Sequence, residues 1–196
     1  MITVKNISEM IKKRGLTILL LAVVFIFLFS PDAKSWLLQQ LISTGLFNAK
    51  IKKEGSVKAS QLQGVSFSLI DSKSHIVNTS DWEGKIIFIN FWASWCPPCR
   101  AEMPSLNALY NQLKNDNQFV FLFVNEDQDS TTSSRYLQSN HFNIPLYKLI
   151  QEVPESIYSG TLPTTIVIDK NGHIVWRHEG MADYNTSDFM EQLKHL

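Results

Sequence analysis

The two cysteines of this chain stand three positions apart, in Trp95-Cys96-Pro97-Pro98-Cys99, directly after an apolar run at 85–92. That run, Lys85-Ile86-Ile87-Phe88-Ile89-Asn90-Phe91-Trp92, is nearly continuous and β-rich, as in a central strand buried on both faces. After the cysteines, Met103, Leu106, Leu109, Tyr110 and Leu113 recur at helical spacing, which predicts a helix over about 97–113. A buried strand that halts at a cysteine pair and continues as a helix restricts the chain to an α/β sheet. It also places Cys96 at a helix N-terminus.

The flanking sequence extends the pattern. Residues 65–69 alternate with period two and suit a half-buried edge strand. Residues 119–124 form a second buried strand, and 130–142 a helix capped by Asp129 or Ser130. A short strand is expected over 144–149, and a short helix over 153–159 ended by Gly160. The runs 164–169 and 173–177 flank Lys170-Asn171-Gly172, and an Asn-Gly turn between β-rich segments is a strong hairpin signal. A helix over 186–196 closes the chain. This order predicts an α/β sandwich whose parallel centre is finished by an antiparallel hairpin.

Ahead of this domain lies a different kind of segment. Lys12, Lys13 and Arg14 precede the uncharged, proline-free run 16–29, a pattern that leaves the N-terminus in the cytoplasm and sends the rest across a membrane. As a helix the run is roughly 21 Å long at about 1.5 Å per residue, short against about 30 Å of hydrocarbon. That length suits a cleaved signal peptide, whereas Ser30-Pro31-Asp32-Ala33 is a poor cleavage region and suits an uncleaved anchor. Apolar positions 37, 38, 41, 42 and 46 predict an amphipathic helix ended by Gly45, lying on the membrane or packed on its own domain. Residues 50–60 read as a linker. The expected division is therefore 1–30 anchor, 31–60 helix and linker, and 61–196 catalytic domain.

The position of Cys96 carries the chemistry. Unpaired N–H groups and the positive end of the helix dipole stabilise a thiolate, which lowers a cysteine pKa from about 8.5 to about 7 or below. The thiolate is the nucleophile of disulfide exchange, and Cys99, one turn on, is placed to resolve a mixed disulfide. Pro97 fits the first helical turn. Pro97 and Pro98 remove two donors to the thiolate and leave chiefly the Cys99 N–H. A less stabilised thiolate makes a less oxidising couple, which points to a reductant.

Other classes fare worse. With 18 basic and 18 acidic residues the net charge is zero, unlike a nucleic-acid binder. Zinc would need a second ligand pair, and apart from His173 and His178 the histidines lack suitable spacing. Two cysteines this close are also a poor structural staple. No metal or cofactor is expected.

The segment Asn90-Phe91-Trp92-Ala93-Ser94-Trp95-Cys96-Pro97-Pro98-Cys99-Arg100-Ala101-Glu102-Met103-Pro104 closely resembles the active-site segment of the TlpA/ResA-like thioredoxin family. The resemblance runs over about 62–196. It implies a thioredoxin-like sandwich, a mixed central sheet flanked by helices, behind an N-terminal membrane anchor. It further implies an extracytoplasmic thiol–disulfide oxidoreductase, several relatives of which act in cytochrome c maturation. Leu162-Pro163-Thr164-Thr165 resembles the family's cis-proline loop, which would set Pro163 against the cysteines and offer Leu162 backbone groups to a bound peptide. Residues 127–159 resemble the family's insertion into the thioredoxin core.

Glu102 matches a buried acid of ResA-like members and would accept the proton of Cys99, its pKa raised by burial. A solvated first-turn glutamate is the alternative. Thioredoxins proper carry a buried aspartate where this chain has Asn90. Trp95 and Pro97 would join Leu162 and Pro163 in contacting clients, and Arg100 reads as a solvated helix residue.

The resulting expectation is a reductase of protein disulfides, facing the periplasm from a bacterial inner membrane by a single span. A DsbD/CcdA-type membrane donor would recharge it, and apocytochrome c is an implied client. The alternatives are a disulfide-forming oxidase and a Sco-like copper chaperone, although Sco-like sites use C-x-x-x-C with a distal histidine. Release as a secreted domain after cleavage is the alternative location.

Overall fold

The computed structural model describes residues 4–51 and 66–196, with the side chains of 4–13 outside the description. The helices are α1 (Val4–Phe29), α2 (Pro31–Leu41), α3 (Pro97–Leu113), α4 (Ser130–Ser139) and α5 (Ser187–Lys194). The strands are β1 (Ser68–Asp71), β2 (Ile76–Asn78), β3 (Ile86–Trp92), β4 (Phe119–Asn125), β5 (Leu146–Leu149), β6 (Thr164–Ile168) and β7 (Ile174–Glu179). They form one sheet in the order β2-β1-β5-β4-β3-β6-β7. β3, β4 and β5 run parallel, and the remaining pairings are antiparallel. This is the α/β sandwich that the strand and helix pattern predicts, and the thioredoxin-like mixed sheet that the family resemblance implies.

β3 is central and every residue of it is buried. Alternation along the strand sorts its side chains. Ile86, Phe88 and Trp92 join the cluster under α3, α4 and α5, while Ile87, Ile89 and Phe91 pack on the opposite face with Leu122, Val124 and Ile166. Asn90 falls on the α3 side by the same parity. So does Thr165, whose partner across the ladder is Asn90. A polar pair is thus delivered beneath the active-site helix by strand register alone.

Several expectations shift. The strand expected at 65–69 lies at 68–71, and it is internal because β2 covers its outer edge. Its period-two burial is present in Phe67 and Leu69, while Val65 lies outside the described residues. The helix expected at 153–159 does not form. The Pro154 carbonyl closes a single turn to Ile157 and Tyr158, and the Tyr158 ring then stacks on Phe91 at 4.3 Å, which draws the chain onto the sheet. Asp129 caps α4 and Thr186 caps α5. Gly172 takes a φ of 79° in the hairpin turn.

At the N-terminal end, Leu16 to Phe29 of α1 expose large apolar side chains. Among the described residues no single helix is long and apolar enough to cross a membrane, but residues 14–29 and 31–46 together form a pair bent by 83°. Ser30 caps α2, and Gly45, at φ 81°, ends its widened last turn. The domain covers only one side of the apolar arc of α2. Ile42 is buried on the domain, whereas Leu37, Leu41 and Leu46 point away from it. Of the linker expected over 50–60, residues 50–51 continue along the domain with 47–49 instead, and 52–60 lie outside the described residues.

Candidate active site

Cys96 caps α3, in extended backbone conformation, and Cys99 sits one turn inside the helix. The two form a disulfide with Cα atoms 5.3 Å apart. The Cys99 N–H points at the Cys96 sulfur at 3.3 Å, the one donor that the two prolines leave in place. Access is unequal: Cys96 is 4% exposed and Cys99 0%. An incoming thiol or disulfide therefore meets Cys96 first. Trp95 is 63% exposed beside it, which excludes a core role for that ring.

The loop ahead of the cysteines is fixed by a residue that the motif does not contain. Asp127, at the end of β4, accepts the Ser94 N–H through Oδ1 at 3.0 Å and the Asn125 amide through Oδ2 at 3.2 Å. Nothing in the spacing of Asp127 announces this. The signal was its place just after a buried parallel strand, where chain ends meet the site.

The Leu162–Pro163 bond is cis, as the resemblance implies. Thr164 pairs with Phe91, so the loop stands at the end of the sheet where β3 releases the cysteine segment. Pro163 is buried, and its carbonyl accepts the Gly180 N–H at 2.9 Å. Leu162 packs against the cluster that contains both cysteines. Among the described residues its own N–H and carbonyl have no partner. Pro97 is half-buried at the same end.

Glu102, one turn beyond Cys99, is fully buried, so the solvated alternative is excluded. Its Oε1 accepts the Asn90 amide at 2.9 Å and its Oε2 the Ala182 N–H at 3.2 Å. The Asn90 amide also donates to Thr165 Oγ1 at 2.9 Å, and that hydroxyl meets the Tyr184 hydroxyl at 2.7 Å. Loss of solvation pushes the Glu102 pKa up to about 8, against the opposing pull of the Asn90, Ala182 and Tyr184 donors. At pH 7 roughly nine in ten of these carboxyls are neutral. Tyr184 is buried, and its pKa is raised well above the ordinary value by burial and by the neighbouring acid. Among the described residues the buried Asn90 Oδ1 has no partner. A half-turn of the amide would bring that oxygen to the proton of the neutral acid.

Arg100 departs from the solvated role expected of it. Its guanidinium lies 4.7 Å over the Tyr136 ring and pairs with Asp32 of α2. Among the described residues no group of three or more His, Cys, Asp or Glu could hold a metal ion. The arrangement provides one cysteine at the edge of the core, one fully enclosed cysteine and an enclosed neutral acid, a set suited to thiol–disulfide exchange with an internal proton carrier.

Residues 56–193 match the Redoxin family. The chain is 33% identical over 136 residues to "Thiol-disulfide oxidoreductase ResA" of Halalkalibacterium halodurans, covering 67% of this chain and 76% of that one. To the ResA of Geobacillus kaustophilus it is 37% identical over 109 residues, 55% of this chain and 62% of the relative. Among solved structures it is similar to one assigned as a thiol-disulfide oxidoreductase from Bacteroides vulgatus. That match has a TM-score of 0.56 and 26% identity, over 67% of this chain and 92% of the other.

Proposed function

Because this chain belongs to the Redoxin family, among its ResA-like thiol–disulfide oxidoreductases, we propose that it reduces disulfides of extracytoplasmic proteins from a membrane tether. Cys96 is the nucleophile: its thiolate attacks one sulfur of a client disulfide, forms a mixed disulfide and expels the client's other sulfur as a thiolate. Cys99 then attacks Cys96, releases the client's remaining thiol and leaves the Cys96–Cys99 disulfide. Glu102, in its ionised form, takes the proton that Cys99 gives up and is left as the neutral carboxyl, the form that a pKa of about 8 favours at pH 7. Leu162 offers its unpaired N–H and carbonyl to the client backbone, with Pro163, Pro97 and the exposed Trp95 shaping the surface around it.

The observation that carries the reading is the unequal burial of the pair, Cys96 at 4% exposure against a fully enclosed Cys99 and Glu102. The apolar, exposed surface of α1 after a basic flank supports a tether in the bacterial inner membrane, with the catalytic domain in the periplasm. A DsbD/CcdA-type membrane dithiol would return electrons, and haem apoproteins are the client class that the ResA likeness suggests. Insulin reduction by wild type and by Cys96→Ser tests the assignment: the variant is expected to lose all activity, and retained turnover would sink it. A reduction potential near or below roughly −270 mV is expected, whereas one near −120 mV would reverse the direction to oxidation.

A further inference from the structure

We propose that residues 31–51 are a two-sided docking arm, whose inner face holds the active-site helix and whose outer face lies on the lipid bilayer surface. The proposal rests on the tether reading above. Its consequence is that the dithiol is held beside the point where the chain leaves the membrane, at a fixed orientation.

The inner contacts converge on the redox site from two sides. Asp32, two residues past the elbow at Ser30, pairs with Arg100, the residue after Cys99. Arg100 in turn reaches the Ser94 carbonyl in the loop ahead of the cysteines, at 3.5 Å. Farther along, the Asp183 N–H donates to the Phe47 carbonyl at 2.8 Å, and the Ala49 N–H to the Asp183 carbonyl at 2.9 Å. The Ile51 N–H then bonds Gln192 Oε1 at 2.6 Å. Asp183 follows Ala182, whose N–H holds Glu102. Ser35, Ile42 and Ala49 are the buried side chains of the arm.

The outer face carries uncovered apolar side chains, with the polar Gln40 among them and Lys34 at its border. Trp36 is 58% exposed, Leu37 46% and Leu41 41%, and at about 100° per residue they share one arc of α2, opposite Ser35 and Ile42. Lipid fits this face better than a protein partner for three reasons. On the other side of the elbow α1 also exposes apolar side chains, from Leu16 to Phe29. The 83° bend turns α2 along the bilayer plane wherever α1 crosses it. A tryptophan flanked by leucines is the composition of an interfacial helix.

The test uses the full chain in phosphatidylcholine vesicles whose acyl chains are brominated either near the headgroups or near their ends. Wild type is compared with Trp36→Phe, a change at an exposed position. The expected result is a tryptophan signal quenched most by bromine near the headgroups and missing from Trp36→Phe. Alkaline carbonate washing runs alongside. A chain that resists washing, with the same quenched fraction in both proteins, overturns the docking arm and leaves the tether standing. A chain that washes off overturns both.

Discussion

Replacing Glu102 by glutamine keeps the shape of the side chain and removes its proton equilibrium. The carboxyl is fully enclosed and its pKa is raised from 4.5 to about 8. In the unfolded chain the same group ionises near its ordinary value. Below about pH 4.5 both states are protonated and the acid contributes no pH dependence. Above that, the unfolded chain releases a proton that the native state retains, so stability falls as pH rises, by about 1.4 kcal/mol per unit, until native Glu102 itself ionises near pH 8. At pH 7 the accumulated penalty is about 3 kcal/mol, and above pH 8 about 5 kcal/mol. Glutamine escapes this term. Its amide can donate to Asn90 Oδ1 after a half-turn of that amide, while its oxygen accepts from Ala182. Melting of the oxidised, detergent-solubilised chain should therefore place Glu102→Gln within about 1 kcal/mol of wild type at pH 5. At pH 7 it should melt higher by about 3 kcal/mol, or roughly 6–12 °C for a chain of this size. A difference independent of pH between 5 and 8 would refute the argument, because it would mean that the native carboxyl is already ionised.

Two further substitutions probe the same surroundings. Asn90→Asp sets a second carboxyl at the position that now donates to Glu102 at 2.9 Å, and the pair can share one proton. It should melt close to wild type at pH 5 and fall below it by roughly 3–5 kcal/mol at pH 8, the scale of an uncompensated buried charge. Equal melting at both pH values would contradict this. Cys99→Ser leaves Cys96 accessible without a resolving thiol, so a client disulfide should accumulate as a covalent adduct on non-reducing gels. If no adduct forms while Cys96 remains reactive to alkylation, Cys99 is not the resolving group.

The linear signals read well where burial and periodicity act over neighbouring residues. β3 and α3 fall almost on their expected bounds, because a continuous apolar run and a helical stripe each specify their own geometry. The cysteine pair was legible as a compact motif, and the cis-proline loop through the family resemblance alone. What escaped is whatever depends on distant partners. Thr165, Ala182 and Tyr184 surround Glu102 from positions more than 60 residues away in the chain. Register across β3 and β6 places Thr165 there, and no local pattern encodes it. β2 is three residues long, too short for a period-two signal to emerge. The stripe on α2 marks an apolar arc but not how much of it the domain covers, since Ile42 is buried while Leu37 and Leu41 are exposed. The turn at 154–158 yielded to a tertiary contact, the stacking of Tyr158 on Phe91.

The ends of the sheet bear on how an extended chain can be captured. β2 forms one edge with three residues, and β7 forms the other with Arg177, His178 and Glu179, the first and last joined at 2.6 Å. A very short edge and a charged one are both poor templates for strand addition, and they protect the protein from pairing with its own copies. β-augmentation, a common way for proteins to seize unfolded segments, is thus discouraged where it would be unproductive. Leu162 offers unpaired main-chain groups at another place, the sheet end where the cysteine segment begins. Under the proposed function, backbone capture and sulfur chemistry fall to the same few residues, so a client held by its main chain would already be presented to Cys96.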